Sequence, residues 1–283
     1  MSGYIRIIEA EQITQTVAEL CVKANLCIGS DIRTALAKAC KTEESPLARS
    51  ALDMLTKNAE IAEREKLPAC QDTGMAVVFI NIGAEIHING DINEAVNKGV
   101  RQGYKNGYFR NSVVRDPIRR VNTADNTPAV IYYDFTQGDK LSITVAPKGF
   151  GSENMSGIRM LNPSDGLDGV ENFIVETVRL AGANPCPPVI VGVGVGGTME
   201  KAALLSKQAL LRDIGGSNPD PFWAESETRL LERINLLNIG PSGYGGHTTA
   251  LGVHILNYPT HIAGLPVAVN IGCHATRHRS EVL

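Results

Sequence analysis

Three cysteines stand where the chain changes character. Cys70 precedes Gln71-Asp72-Thr73-Gly74, Cys186 is locked between Pro185 and Pro187-Pro188, and Cys273 follows Gly272 at the end of an apolar run. Proline and glycine in such places fix the backbone and let a bulky ligand approach closely. The spacing does not fit the CxxC pairs of structural zinc sites. It does fit an iron–sulfur cluster held by thiolates from well-separated loops, with one iron left without a protein ligand and open as a Lewis acid. Three unrelated thiols are the other reading, and spacing alone leaves both open. Cys21 and Cys40 lie on apolar helical faces and read as core, and Cys27, in a connector, has no role assigned.

Anion-binding groups lie in other segments. FRNSVVRDPIRR (109–120) packs Arg110, Arg115, Arg119 and Arg120 into a short stretch of a slightly acidic chain. A guanidinium grips a carboxylate with two parallel hydrogen bonds, although a solvated face or a subunit contact would look the same. In KGFGSEN, Gly149 and Gly151 offer backbone amides to an anion. Asp72 and His261 are candidates for proton transfer. For His261 the plain alternative is a hydrogen-bonded core histidine; His247, His274 and His278 are weaker candidates. Residues 192–197, GVGVGG, satisfy GxGxxG between a strand and a helix, with Asp213 at a plausible distance. A dinucleotide unit needs a second parallel strand after the helix, and IGGSNPDPFWAES reads as a loop. A nicotinamide site is therefore set aside for a close strand-to-helix turn, one that would hold Cys186 and a helix start near an anion.

The elements that must position these groups follow from periodicity. Residues 11–65 read as helices: Ile13, Val17, Leu20, Cys21 and Ala24 follow helical spacing, Ser30-Asp31 offers a cap, and Ser45-Pro46 offers a second start. Strands are expected at 76–80, 129–135, 141–146, 189–195, 251–256 and 265–271, with 129–135 and 141–146 joined as a hairpin through TQGDK. Helices are expected at 91–104, 169–180 and 200–213. The fold class is α/β, a helical N-terminal layer packed on an α/β body with mixed sheets. Composition agrees: 283 residues, 43% hydrophobic, 27 basic against 30 acidic residues, and a net charge of −3. That speaks against disorder and gives no support to nucleic-acid binding. Six cysteines are too few for a disulfide scaffold, no stretch approaches the roughly 20 apolar residues of a membrane span, and the first residues lack a signal-peptide pattern. The expected location is cytoplasmic.

ACQDTG, NTADNTPA, KGFGSEN, CPPVIVGVGVGGTMEKA and GLPVAVNIGCHATRH lie in that order between residues 67 and 278. Together they resemble the signatures of the α subunit, or N-terminal domain, of class I iron–sulfur fumarate hydratases and the related L-tartrate dehydratases. The resemblance implies one hydro-lyase α-subunit domain over 1–283, with 1–66 as the helical layer and 67–283 as the body carrying the cluster. It implies a 4Fe–4S cluster on Cys70, Cys186 and Cys273, with one iron not ligated by protein. It implies a dicarboxylate contacted by Gln71, Asp72, Arg110 and Gly151, with Gly149 as a second amide, and proton transfer by Asp72 paired with His261. The expected reaction is reversible hydration of fumarate to (S)-malate, a step of the tricarboxylic acid cycle, in an oxygen-sensitive enzyme. Dehydration of L-tartrate is the first alternative and a non-catalytic cluster-binding scaffold the second. The family's remaining substrate arginines, a lysine and a threonine base belong to a second domain or a β subunit, so a β partner is expected, in a homodimer or an α2β2 assembly. The residues after the last cysteine depart from the family's pattern, and His274-Ala275-Thr276-Arg277 receive no role.

Overall fold

The structure, a computed structural model, describes residues 5–283. In chain order its elements are β1 (Arg6–Glu9), α1 (Ala10–Leu26), α2 (Ser30–Thr42), α3 (Pro46–Glu65), β2 (Met75–Gly83), β3 (Ile86–Asn89), α4 (Ile92–Asn106), β4 (Val130–Thr136) and β5 (Leu141–Lys148). There follow α5 (Phe150–Glu153), β6 (Gly157–Leu161), α6 (Gly166–Ala181), β7 (Val189–Gly196), α7 (Met199–Ala209), α8 (Pro221–Asn235), β8 (Ala250–Tyr258), β9 (Leu265–Gly272) and β10 (Arg279–Val282). This is an α/β fold with mixed sheets. The described residues form two units: the first holds those up to Ile28, Ile61–Gly149 and Arg277–Leu283, the second Gly29–Glu60 and Phe150–Thr276. Among the described residues no helix is long and apolar enough to cross a membrane.

In the first unit β2 is the organising strand. Its run MAVVFINIG is buried from Ala76 to Ile80, and it carries β4 parallel on one side and β5 antiparallel on the other, with β10 beyond β5. The apolar stripe of α1 faces α4 and β5. Gly99 and Gly103 of α4 let the two helices approach: a Cβ there would stand 2.6 Å from the Thr14 carbonyl and 2.7 Å from that of Ala18. Asp91 caps α4, its carboxylate accepting from Asn93 N at 2.8 Å and Glu94 N at 3.0 Å. The expected hairpin of β4 and β5 does not form, because β2 lies between them. Their connection wraps the end of β2 instead. Gly83 N donates to the Lys140 carbonyl, Ala84 N to that of Thr136 and Glu85 N to that of Gly138. The more apolar β2 takes the central place, and each neighbour satisfies one of its edges.

In the second unit the sheet runs β6-β9-β7-β8. Burial of every residue in β7 explains its unbroken Val, Ile and Gly run. The core joins β7, β8 and β9 to α6 and α8 through Val191, Val193, Ile174, Leu230 and Ile271. Three expectations change here. The segment after Gly216 is not all loop: Asp220 caps α8, accepting from Phe222 N at 3.0 Å, with Pro221 at the first position. Helix α7 ends at Ala209 rather than 213. A parallel partner of β7 does exist, in β8, reached only after both α7 and α8. The first two glycines of GVGVGG serve packing against α7: a Cβ on Gly192 would strike the Ser206 carbonyl, and one on Gly194 the Ala202 carbonyl. Strands β1, β3, β6 and β10, the short helix α5 and helix α8 were not read from the sequence. The strands have four or five residues, too few for a period to register.

Candidate active site

One group of predicted residues lies in the first unit, before β2. Pairing of Met75 with Lys148 sets Cys70–Gly74 beside the end of β5. The Asp72 carboxylate accepts from Gly74 N at 3.0 Å, and a Cβ on Gly149 would lie 3.1 Å from its Oδ2. Thr73 Oγ1 donates to the Arg110 carbonyl at 3.2 Å, which brings the start of the arginine segment to this turn. Buried Tyr104 donates to the Thr73 and Gly74 carbonyls at 2.7 and 2.9 Å, and Asn126 Nδ2 to Gly74 at 3.1 Å. Burial pushes the Tyr104 hydroxyl far above its ordinary value, so it stays a donor. The first unit thus brings together Cys70, Gln71, Asp72 and Arg110 on a turn fixed from three directions. Gln71 and Arg110 are exposed.

Arg115, Arg119 and Arg120 are exposed on a small excursion closed by the Val114–Asn122 bridge. Asp116 shapes it by accepting from Ile118 N and Arg119 N at 3.0 and 2.6 Å.

The second group lies in the second unit, at one end of its sheet. Cys186 precedes β7 and Cys273 follows β9, and these strands run antiparallel with Ile190 opposite Gly272. Both thiols therefore emerge at the same end. His274 Nδ1 lies 3.0 Å from the Cys186 carbonyl and links the two loops. Cys186 is exposed and holds φ +56, while Cys273 is half-buried. Gly151 belongs to this end as well: a Cβ on it would lie 4.0 Å from the Asn184 carbonyl. Glu153 ties α5 down, accepting from Lys207 Nζ at 2.7 Å and from Asn270 Nδ2 at 3.0 Å. The glycine loop before β8 completes the rim, with Ser242 N donating to the Pro187 carbonyl at 2.7 Å.

His261 is elsewhere. It lies between β8 and β9, where Thr260 Oγ1 donates to the Gly197 carbonyl at 2.8 Å. That is the opposite end of β7 from Cys186 and Cys273, roughly 25 Å away at about 3.3 Å per residue. The strand-to-helix turn at Gly196-Gly197 lies at this far end too, so it does not hold Cys186 as expected from the sequence. His261 is exposed, and its Nδ1 accepts from Ala263 N at 3.1 Å. In the neutral ring the proton therefore sits on Nε2.

The donor chemistry suits an iron–sulfur cluster. None of the six cysteines forms a disulfide. Cys21 is fully buried, and burial pushes its thiol up to about 12, which keeps it a core residue. Cys27 Sγ donates to Glu63 at 3.3 Å, and Cys40, only half-buried rather than core, reaches the Arg49 carbonyl at 3.8 Å. Cys70, Cys186 and Cys273 remain, each on a loop with a fixed backbone. Among the described residues no three His, Cys, Asp or Glu side chains form a ready metal site. The structure supplies two thiols at one sheet end in the second unit and one on the Cys70 turn in the first.

Sequence reasoning missed Asn25 and Arg277. Arg277 is 4% exposed, its Nη2 donates to the Asp72 carbonyl at 2.6 Å and its Nε to Asn25 Oδ1 at 3.1 Å. A buried arginine at the end of a chain has no periodic signature.

A family model described as Fumarate hydratase (Fumerase) matches residues 14–282. A protein of Methanocaldococcus jannaschii, provisionally named L(+)-tartrate dehydratase subunit alpha, is 41% identical over 272 residues, covering 94% of this chain and 95% of the relative. The L(+)-tartrate dehydratase subunit alpha of Escherichia coli strain K12 is 33% identical over 270 residues, covering 94% and 89%. The protein of the same name from Shigella boydii matches to the same extent.

Proposed function

Since this chain belongs to the fumarate hydratase (Fumerase) family, we propose that it is the α subunit of a hydro-lyase that removes water from a 2-hydroxy C4 dicarboxylate. The observation that carries this reading is the meeting of Cys186, Cys273 and Gly151 at one end of a sheet, within a match that spans nearly the whole chain. Cys70, Cys186 and Cys273 would hold a 4Fe–4S cluster. Such a cluster, when bound, supplies a Lewis acid at the iron that no protein group ligates.

The chain's own groups do the rest. Arg110 takes one substrate carboxylate in a two-bond grip, and Gln71 and the Gly151 amide orient the other polar atoms. Negative charge developing beside the carbon that loses its proton is stabilised by the same guanidinium. Asp72 moves a proton, with His261 as its partner. The length of β7 separates His261 from Cys186 and Cys273, so with all three thiols on one cluster the histidine beside Asp72 is that of a second copy. The base that removes the carbon-bound proton comes from a β subunit, as the α designation of the relatives supports.

Two substrates fit this chemistry. The family's description favours fumarate and (S)-malate, while the names of the relatives favour L-tartrate, which carries one more hydroxyl. The test is turnover of both acids by anaerobically reconstituted α chain with its β partner. Dehydration of either supports the reading, and the faster one names the substrate. A cluster-loaded complex that turns over neither, with a spectrum indifferent to both acids, overturns it and leaves the non-catalytic scaffold.

A further inference from the structure

We infer that His274 and Arg277, in the segment after Cys273 that the family resemblance leaves without a role, are positioning residues that grip the backbones of two cysteine loops. The inference deepens the cluster reading and rests on it.

In the second unit, the partner of His274 is a carbonyl, which can only accept, so Nδ1 carries the proton and donates to Cys186 O at 3.0 Å. Cys186 needs such help. At φ +56 it sits in the left-handed region, which a side chain with a Cβ occupies only against a steric cost. Its own N–H donates to the Ala183 carbonyl at 3.1 Å, and the next carbonyl, of Pro187, is held by Ser242 N. The carbonyl of Cys186 is a further handle, and His274 takes it. The turn that aims the imidazole is itself braced. Thr276 donates to the Cys273 carbonyl from both N, at 2.9 Å, and Oγ1, at 2.8 Å, and a Cβ on Gly272 would strike Thr276 Oγ1.

In the first unit, Arg277 does the same for Cys70. Its guanidinium holds the Asp72 carbonyl on one side of Cys70-Gln71. On the other side Asn25, which accepts from Arg277 Nε, also accepts through its carbonyl from Ala69 N at 3.0 Å. Asn25 is in turn anchored on α1, its Nδ2 donating to the Cys21 carbonyl at 3.0 Å. The residues flanking Cys70 and Gln71 are thus pinned to one buried pair. Groups behind metal ligands commonly set ligand orientation, and their loss costs metal affinity.

The test uses the full chain, without and with iron and sulfide. His274→Phe keeps a ring and loses the donor; His274→Gln keeps an N–H; Arg277→Lys keeps the charge with less reach. In the apo-protein, iodoacetamide alkylation of each cysteine is followed by mass spectrometry. Expected for His274→Phe is a Cys186 rate several-fold faster, as loss of one hydrogen bond allows, with Cys70 unchanged and an unaltered melting temperature. Arg277→Lys should show the mirror pattern, Cys70 faster and Cys186 unchanged. After anaerobic reconstitution, His274→Phe should release iron to a ferrous chelator roughly tenfold faster than wild type, and His274→Gln should recover most of the difference. Wild-type alkylation and iron-release rates in His274→Phe overturn the inference. So does a fall in melting temperature with every cysteine reacting faster, which marks a merely structural role. If the wild-type chain binds no iron and sulfide, the cluster reading falls, while the alkylation pattern still decides the positioning claim.

Discussion

A thiolate that holds metal and a guanidinium that holds substrate fail differently when removed, and this separates the roles proposed for Cys186 and Arg110. Cys186 is exposed on the loop before β7. Cys186→Ser should therefore leave a folded chain whose iron and sulfide content after anaerobic reconstitution falls close to zero; normal iron in that variant defeats the ligand assignment. Arg110 presents an exposed side chain while its backbone is held by Thr73. Arg110→Ala should keep the cluster's absorption and lower kcat/KM about 100-fold, the scale of a lost charge-assisted pair. Equal loss of the spectrum would show that the arginine supports the fold instead. At this scale the sequence was most legible where proline, glycine and turn residues mark a loop. Cys70, Asp72, Cys186 and Cys273 stand beside Pro, Gly or other turn residues, and at Cys186 and Gly74 the backbone takes a positive φ. Arg277 and Asn25 were invisible, since a buried polar pair whose members stand 252 positions apart leaves no local trace.

Elements are held by groups that are not part of the chemistry. Glu43 ends α2 and is 1% exposed. Burial pushes its carboxyl up, but hydrogen bonds from His247 N, Thr248 and Ser45 N together outweigh that and hold it below the ordinary carboxylate value. A carboxyl lowered in the folded state stabilises above its unfolded pKa, and that contribution disappears as pH falls through the folded value. Glu43→Gln should thus cost about 2–3 kcal/mol at pH 7 in urea unfolding, with the gap to wild type closing below about pH 4. A gap that stays constant with pH would show that shape, not charge, anchors the glycine loop. Gly194 makes a second case. Adding a Cβ there meets the Ala202 carbonyl, with Ser206 N at 2.7 Å, so Gly194→Ala should destabilise by at least about 3 kcal/mol. A stable Gly194→Ala chain would mean that the glycine serves a ligand instead of the packing of α7. The GxGxxG pattern was legible as a turn, and its close packing partner was not. Strand order was the least legible feature: TQGDK looks like a hairpin loop, and only the unbroken apolar run of β2 hints that another strand comes between.

At the scale of the whole molecule, the decisive fact is the direction of β7. Cys186 and Cys273 leave one end of its sheet and His261 leaves the other, so one chain does not place this histidine beside its own thiols. His261 faces solvent, and in its neutral ring the proton sits on Nε2. If Asp72 and His261 act as a pair across copies, each substitution alone silences the enzyme but damages a different chain's share of the site. Asp72→Asn and His261→Asn chains, each inactive, should then regain activity when dissociated and reassembled together with the β partner. For a closed dimer mixing at random, half the dimers are mixed and each mixed dimer has one intact site, so recovery should approach about a quarter of wild type. Reassembly of either variant with itself must stay inactive. If the mixture also stays inactive while wild-type chains survive the same treatment, His261 does not complete another copy's site.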